Sequence, residues 1–168
     1  MADEIIAARV RELLHYDPET GIFVRKTKVA KSMCNIGDRA DRLITTSHAA
    51  GYYRVFFDAK QHYAHRVAWL YVYGQWPAGE IDHINGNRSD NRIENLREAS
   101  HAVNMQNVLL PRKHNKSGFL GVSKDKKRWC AAVMLNGKRH RIGAYDSPEE
   151  AHKAYLEAKR ILHKGCTI

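Results

Sequence analysis

Within residues 81–107, IDHINGNRSDNRIENLREASHAVNMQN, Asp82 stands next to His83, with Asn95 and Asn104 downstream. These residue types suit the hydrolysis of a phosphodiester, which needs an activated water and something to absorb charge on the departing oxygen. Imidazole exchanges a proton near neutral pH, so His83 can supply the first. The Asp82 carboxylate and the Asn104 amide oxygen can hold a hard divalent cation for the second. Few protein ligands and several retained waters suit magnesium. Adjacent residues in a regular strand point to opposite faces, so the strand must end or bend for Asp82 and His83 to serve one site. The Asn/Gly-rich run that follows supplies turn formers for that bend.

The elements that position this set are legible in outline. Residues 3–15 predict a helix with Ile5, Ile6, Val10, Leu13 and Leu14 roughly on one face. YDPETG is a turn, and IFVRK a strand. Residues 27–50 lack clear periodicity and predict an irregular loop with one short strand. GYYRVFF and HYAHRV predict a hairpin around Asp58–Gln61. AHRVAWLYVYG continues as an apolar helix that stops at Gly74, with Pro77 beyond it. SHAVNMQN predicts a short helix capped by Ser100. After a Pro- and Lys/Arg-containing linker at 108–118 come three strand-like runs, FLGVSKD, RWCAAVML and KRHRIGAYD. The Asn136-Gly137 pair marks a tight hairpin between the last two. A final helix starts from Ser147 and Pro148, with Tyr145, Ala151, Ala154, Tyr155, Ala158 and Leu162 as its expected core seam, and Gly165 is its expected stop.

The chain has 168 residues and a formal net charge of +10. Residues 111–168 hold 14 Lys/Arg against 5 Asp/Glu, whereas residues 1–110 hold 14 against 13. A basic region of this kind predicts a polyanionic partner, attached to a nearly neutral working domain. The longest apolar stretch is too short to span a bilayer. MADEIIAARVRELL has acids before its apolar residues and predicts a helix, not a signal peptide. Cys34, Cys130 and Cys166 form no C-x-x-C pair and no disulfide framework, which predicts idle thiols in a reducing cytoplasm.

Asp82, His83, Asn95 and Asn104 together resemble the HNH motif of the ββα-metal nucleases, with Asn in the third place as in the phage homing endonucleases. LLHYDPETGIF, AHRVAWLY and DNRIENLR extend the resemblance to phage-type HNH endonucleases. The resemblance implies a metal-dependent endonuclease acting on double-stranded DNA, a hydrolase leaving 5′ phosphate and 3′ hydroxyl ends. It implies His83 as general base, Asn95 as the residue that steadies the loop and orients it, and Asp82 and Asn104 as ligands of one divalent ion. That ion is expected to be Mg2+, with Mn2+ able to substitute. Asn107, one turn after Asn104, stays an alternative ligand. His65, Arg66, Arg92 and Arg97 are candidate phosphate contacts. Packing or solvated surface roles stand beside that reading.

Residues 115–165 resemble an APETALA2-type DNA-binding domain. The resemblance is carried by Gly121-Val122, Arg128-Trp129, Ile142-Gly143 and YDSPEEAHKAY. It implies a three-stranded sheet entering the major groove with the helix on its other side. Arg128, Trp129, Lys138, Arg139 and Arg141 are the candidate contacts, although a core role for Trp129 is equally available. Leu120 and Ser123 stand where that family commonly carries Arg.

The expected fold class is α+β, an N-terminal ββα-metal (HNH) domain plus a small three-stranded antiparallel sheet packed on one helix. The expected domains are 1–107, with the ββα core at about 80–107, a linker at 108–118 and a DNA-binding domain at 119–168. Double-stranded DNA is the expected partner, with no membrane or obligate protein partner, in a bacterial host's cytoplasm if phage-encoded. A non-cleaving DNA-binding regulator and an RNA-binding or RNA-cleaving protein are the rival readings.

Overall fold

The computed structural model describes residues 2–28, 34–46, 49–108, 110–111, 114–163 and 166–167. The chain is mixed α+β with small antiparallel sheets, and it divides into two compact units, Met1–Ala99 and Ser100–Ile168.

The first unit opens with α1 (Ala2–Leu13), which buries Ala7 and Val10 and packs Ile6 and Leu13 on the same core. At about 100° per residue, Ile5 falls well off the line through Ile6, Val10 and Leu13. It is exposed, contrary to the sequence expectation. The helix also stops earlier than expected. Leu14–Tyr16 form β1, which pairs with β2 (Phe23–Arg25), because Leu14 and Tyr16 bury on one side at a period of two. The Tyr16 and Phe23 rings meet at 4.8 Å.

β3 (Asp41–Leu43), β4 (Tyr53–Phe57) and β5 (Lys60–Tyr63) form a three-stranded sheet in that order. The β4–β5 turn is shorter than expected: Asp58 and Ala59 take φ of 46° and 60°, while Lys60 and Gln61 pair with Phe57 and Phe56. Two left-handed residues make the tight turn whose twist matches its strands. α2 (Ala64–Tyr73) follows and ends at Gly74, whose φ of 75° lets its N–H reach the Leu70 carbonyl. β6 (Glu80–His83) and β7 (Leu96–Ala99) complete the unit as an antiparallel pair. Val55, Val67, Leu70, Ile81 and Leu96 join Tyr16 and Phe23 in one core.

The second unit begins with α3 (His101–Gln106), where the Ser100 hydroxyl accepts from the Val103 N–H as a cap. β8 (Val122–Asp125), β9 (Arg128–Leu135) and β10 (Lys138–Tyr145) form a sheet with β9 central, and α4 (Pro148–Leu162) packs on it. Asn136 and Gly137 make the expected hairpin turn, with φ of 51° and 76°. Val122, Ala131, Val133, Ala151 and Tyr155 are its core, with Trp129, Ile142 and Tyr145 against them. Ile142 reaches the core side by alternation after Arg141, and the bulge there brings Gly143 and Tyr145 opposite Ala131 and Trp129 on the same side.

From the helix seam expected in the sequence, Ala151 and Tyr155 are buried, but Leu162 is exposed. Lys159 continues the i, i+4 line instead, 1% exposed, with its ammonium donating to the Val108 carbonyl at 2.7 Å. Gly165 lies outside the described residues.

Gly121 has φ of +71°, and a Cβ there would lie 2.0 Å from the Tyr155 ring. Gly121→Ala should therefore lower the second unit's stability by about 3 kcal/mol, combining overpacking with left-handed strain. Urea unfolding followed by far-UV circular dichroism reads this, and an unchanged midpoint would sink the packing account.

Candidate active site

β6 and β7 set the frame, pairing Asp82 with Arg97 and His83 with Leu96. The strand ends at His83, whose carbonyl accepts from the Gly86 N–H in the turn that follows. Asp82 and His83 are both 4% exposed. Arg97 donates to Oδ2 of Asp82 through Nε at 2.9 Å and Nη2 at 2.7 Å.

The loop between the strands is held by Asx side chains. Asn95 Oδ1 accepts from the Asn85 N–H at 2.9 Å, and its Nδ2 donates to the Asp90 carbonyl at 2.8 Å. One buried amide thus joins both ends of the loop. Asp90 accepts from Asn85 Nδ2 and from Arg92, and the Arg92 guanidinium holds its carboxyl down at about 2. Asn91, 2% exposed, turns its Oδ1 toward His83 Nε2 at 3.3 Å. An amide oxygen facing Nε2 suits the tautomer with the proton on Nε2 and the lone pair on Nδ1.

Sequence reasoning missed Asn91, and it missed the brace behind it. The Tyr16 hydroxyl donates to the Asn91 carbonyl at 2.7 Å, and the Ile93 N–H donates to the Pro18 carbonyl at 3.3 Å. Gly21, with φ of +72°, lies so close that a Cβ would come within 2.5 Å of backbone atoms of Asn91 and Arg92. YDPETG reads as an ordinary turn; in the fold its backbone is the surface against which the loop rests. The available signal was the recurrence of LLHYDPETGIF beside DNRIENLR in one resemblance.

Burial lowers the pKa of His83, opposed by the Asn91 contact and the Asp82 and Asp90 charges. A neutral imidazole can accept a proton. His65 meets the His83 ring edge-on at 5.2 Å, with Tyr63 stacked on it and Tyr52 against both histidines. Burial, then His83 and Arg66, push His65 down to about 3, and its Nδ1 is buried with no hydrogen-bond partner.

The candidate phosphate contacts therefore separate. His65 borders His83, and Arg97 is on Asp82. Arg66 donates to the carbonyls of Gly79 and Pro77, and Arg92 pairs with Asp90 and Glu94. Asn104 sits half-buried on α3, in the second unit.

In that unit, Arg128, Arg139 and Arg141 share the open sheet face by register. They are exposed and engaged with Asp146, Ser123 and Asp125. Trp129 and Lys138 alternate to the helix side, where the Lys124 ammonium lies 5.5 Å from the Trp129 ring centre.

Residues 62–106, which span β5 through α3, match the family model described as HNH endonuclease. Protein 3.8 of Escherichia phage T7 is 34% identical over 114 residues, covering 66% of this chain and 91% of that protein. The chain belongs to the HNH endonuclease family. An uncharacterised HNH endonuclease of Acanthamoeba polyphaga mimivirus is 34% identical over 77 residues, 41% of this chain and 19% of that protein. No solved structure matches the chain. No helix among the described residues is long and apolar enough to cross a membrane.

HNH nucleases use a divalent metal ion, and the donor chemistry here fits a hard one. Among the described residues no group of three or more His, Cys, Asp or Glu is placed to hold a metal. The Asp82 carboxylate is an oxygen donor of the kind that hard divalent cations take.

Proposed function

We propose that this HNH nuclease is a metal-dependent endonuclease hydrolysing phosphodiester bonds in double-stranded DNA. The observation that carries the reading is the stapled loop, in which Asn95 ties both loop ends while Asn91 faces Nε2 of His83. That arrangement supports a neutral His83 whose Nδ1 takes a proton from the attacking water. Asn95 keeps the loop in shape, and Asn91 orients the ring.

As the family resemblance implies, Asp82 and Asn104 are the proposed ligands of the cation, Mg2+ with Mn2+ as a substitute, and residues 80–107 the proposed ββα-metal core. When bound, the ion supplies charge stabilisation to the departing oxygen. Asn107, buried with its amide oxygen accepting from the Thr167 hydroxyl, stays the alternative second donor. Arg97, already beside Asp82, could turn to a phosphate oxygen once that carboxylate has another partner, and His65 could donate to the same phosphate.

We further propose an APETALA2-like role for residues 119–168, joined by the linker 108–118 to nuclease residues 1–107. The three-stranded sheet with α4 on one side and Arg128, Arg139 and Arg141 on the other supports it. Exposed ion pairs are weak, so those side chains can exchange their carboxylate and hydroxyl partners for phosphates. A homing role is the extension that the resemblance to phage homing endonucleases implies, and a bacterial host's cytoplasm is the proposed setting if the chain, like Protein 3.8, is phage-encoded.

Supercoiled plasmid incubated with the protein in magnesium should be nicked or linearised, and in EDTA it should stay intact. Cleavage in EDTA would overturn the metal-dependent reading. Binding without cleavage in magnesium, on genomic DNA as well as plasmid, would favour a silent regulator. Stronger competition by structured RNA than by duplex DNA would favour an RNA-directed protein.

A further inference from the structure

β3, β4 and the strand-end residues beside them enclose a groove of about 540 Å³ that belongs neither to the catalytic loop nor to the basic second unit. Four arginines line it, Arg25, Arg39, Arg42 and Arg54, with Asp41 as the one carboxylate among its lining residues. Asp41 is already matched: Arg39 Nε and Nη2 donate to its two oxygens at 2.8 and 3.0 Å. Three guanidinium groups are left without a carboxylate in the groove.

Two of them face each other. Arg42 and Arg54 are direct cross-strand partners, so their side chains leave the same face of the sheet. Like charges in that position destabilise a sheet unless an anion lies between them. Arg54 is also pre-positioned, its Nη1 donating to Gln61 Oε1 at 3.1 Å and its guanidinium lying 5.3 Å from the Tyr63 ring centre. Arg25 contributes a guanidinium whose Nε is buried with no hydrogen-bond partner. A self-repelling pair and an unsatisfied donor in one groove describe a site built for an anion. The planar guanidinium fork matches phosphate oxygens in particular.

We infer that this groove binds the sugar–phosphate backbone of the substrate duplex, a second contact separate from the basic sheet of the other unit. The inference rests on the nuclease reading for the identity of the polyanion. The groove's charge complementarity selects a phosphodiester backbone over an isolated carboxylate.

The test measures full-length protein on a labelled random-sequence duplex in EDTA, by fluorescence anisotropy across a salt series. Arg42→Gln/Arg54→Gln should reduce the slope of log affinity against log salt by about 2. At about 0.1 M salt this is a loss on the order of 50-fold. Arg9→Gln/Lys26→Gln removes the same charge elsewhere on the unit and should change the slope far less. Equal slopes for the two double variants would overturn the groove, since net charge alone would then explain the loss. An unchanged slope for the groove variant would also overturn it. Absence of duplex binding by the wild type would remove the nuclease reading and the groove together. Relief of the Arg42–Arg54 repulsion predicts a melting temperature no lower than wild type. Should the double variant fail to fold, single Arg42→Gln at the exposed edge must lower the slope by about 1.

Discussion

His83→Ala should lose roughly 10² to 10⁴-fold in cleavage rate, the usual range for removal of a general base, while retaining duplex binding. The residue stands at the end of β6 with Nε2 against Asn91 and the Tyr52 and His65 rings beside it. Its burial and lowered pKa favour the neutral form that can accept a proton. No alanine can replace that function. Binding should persist because the exposed arginines of β9 and β10, and the groove arginines of β3 and β4, lie outside this loop. Single-turnover cleavage of plasmid in magnesium gives the rate, anisotropy in EDTA gives the affinity, and thermal unfolding checks the fold. Wild-type cutting by the variant would remove His83 from the mechanism. Equal loss of binding and cleavage would point instead to a collapsed loop.

Gly21→Ala should lower the cleavage rate by about 100-fold, although residue 21 carries no chemistry. A Cβ at this position would stand 2.5 Å from Arg92 N and Asn91 C, both backbone atoms that no rotamer can move aside. The Asn91–Arg92 segment must shift, and with it the amide that faces His83 at 3.3 Å. A displacement near 1 Å in a catalytic group can lower a rate by about 10²-fold. Left-handed strain is present as well, since φ is +72°, and contributes about 1–2 kcal/mol of destabilisation.

Gly74→Ala separates the two effects. Gly74 has nearly the same φ, +75°, but nothing within 4 Å of its would-be Cβ. That variant should lose comparable stability through strain and keep its rate, measured at a temperature where both variants are folded. If Gly74→Ala lost as much activity as Gly21→Ala, strain and not displacement of Asn91 would be the cause.

Several elements were legible because their causes are local. Ser100 and Ser147 cap helices through hydroxyls placed three residues before the N–H they accept from. Asn136-Gly137 supplies the two left-handed residues of a tight hairpin, and Gly74 the left-handed end of α2. The strand's end at His83 follows from turn formers immediately after it. Misreadings came where local periodicity was shared by two outcomes. Leu14 fits either an extension of α1 or the alternation of β1, and pairing with Arg25 settles it. Leu162 fits the apolar line of α4, but Lys159 buries its stem and satisfies its ammonium on the Val108 carbonyl.

By itself, the sequence determined the residue chemistry of the Asp82–Asn107 stretch, the caps and turns around it, and the basic bias of residues 111–168. Those depend on neighbours a few positions apart. Tertiary structure alone decided that Tyr16 reaches Asn91 across 75 residues, that Gly21 supports the loop, and that His65 becomes a neutral partner of His83. It also gathered Arg25, Arg39, Arg42 and Arg54 into one groove of a half whose net charge gives no hint of it. Long-range packing sets which polar groups are buried together, and burial sets their protonation and their need for partners.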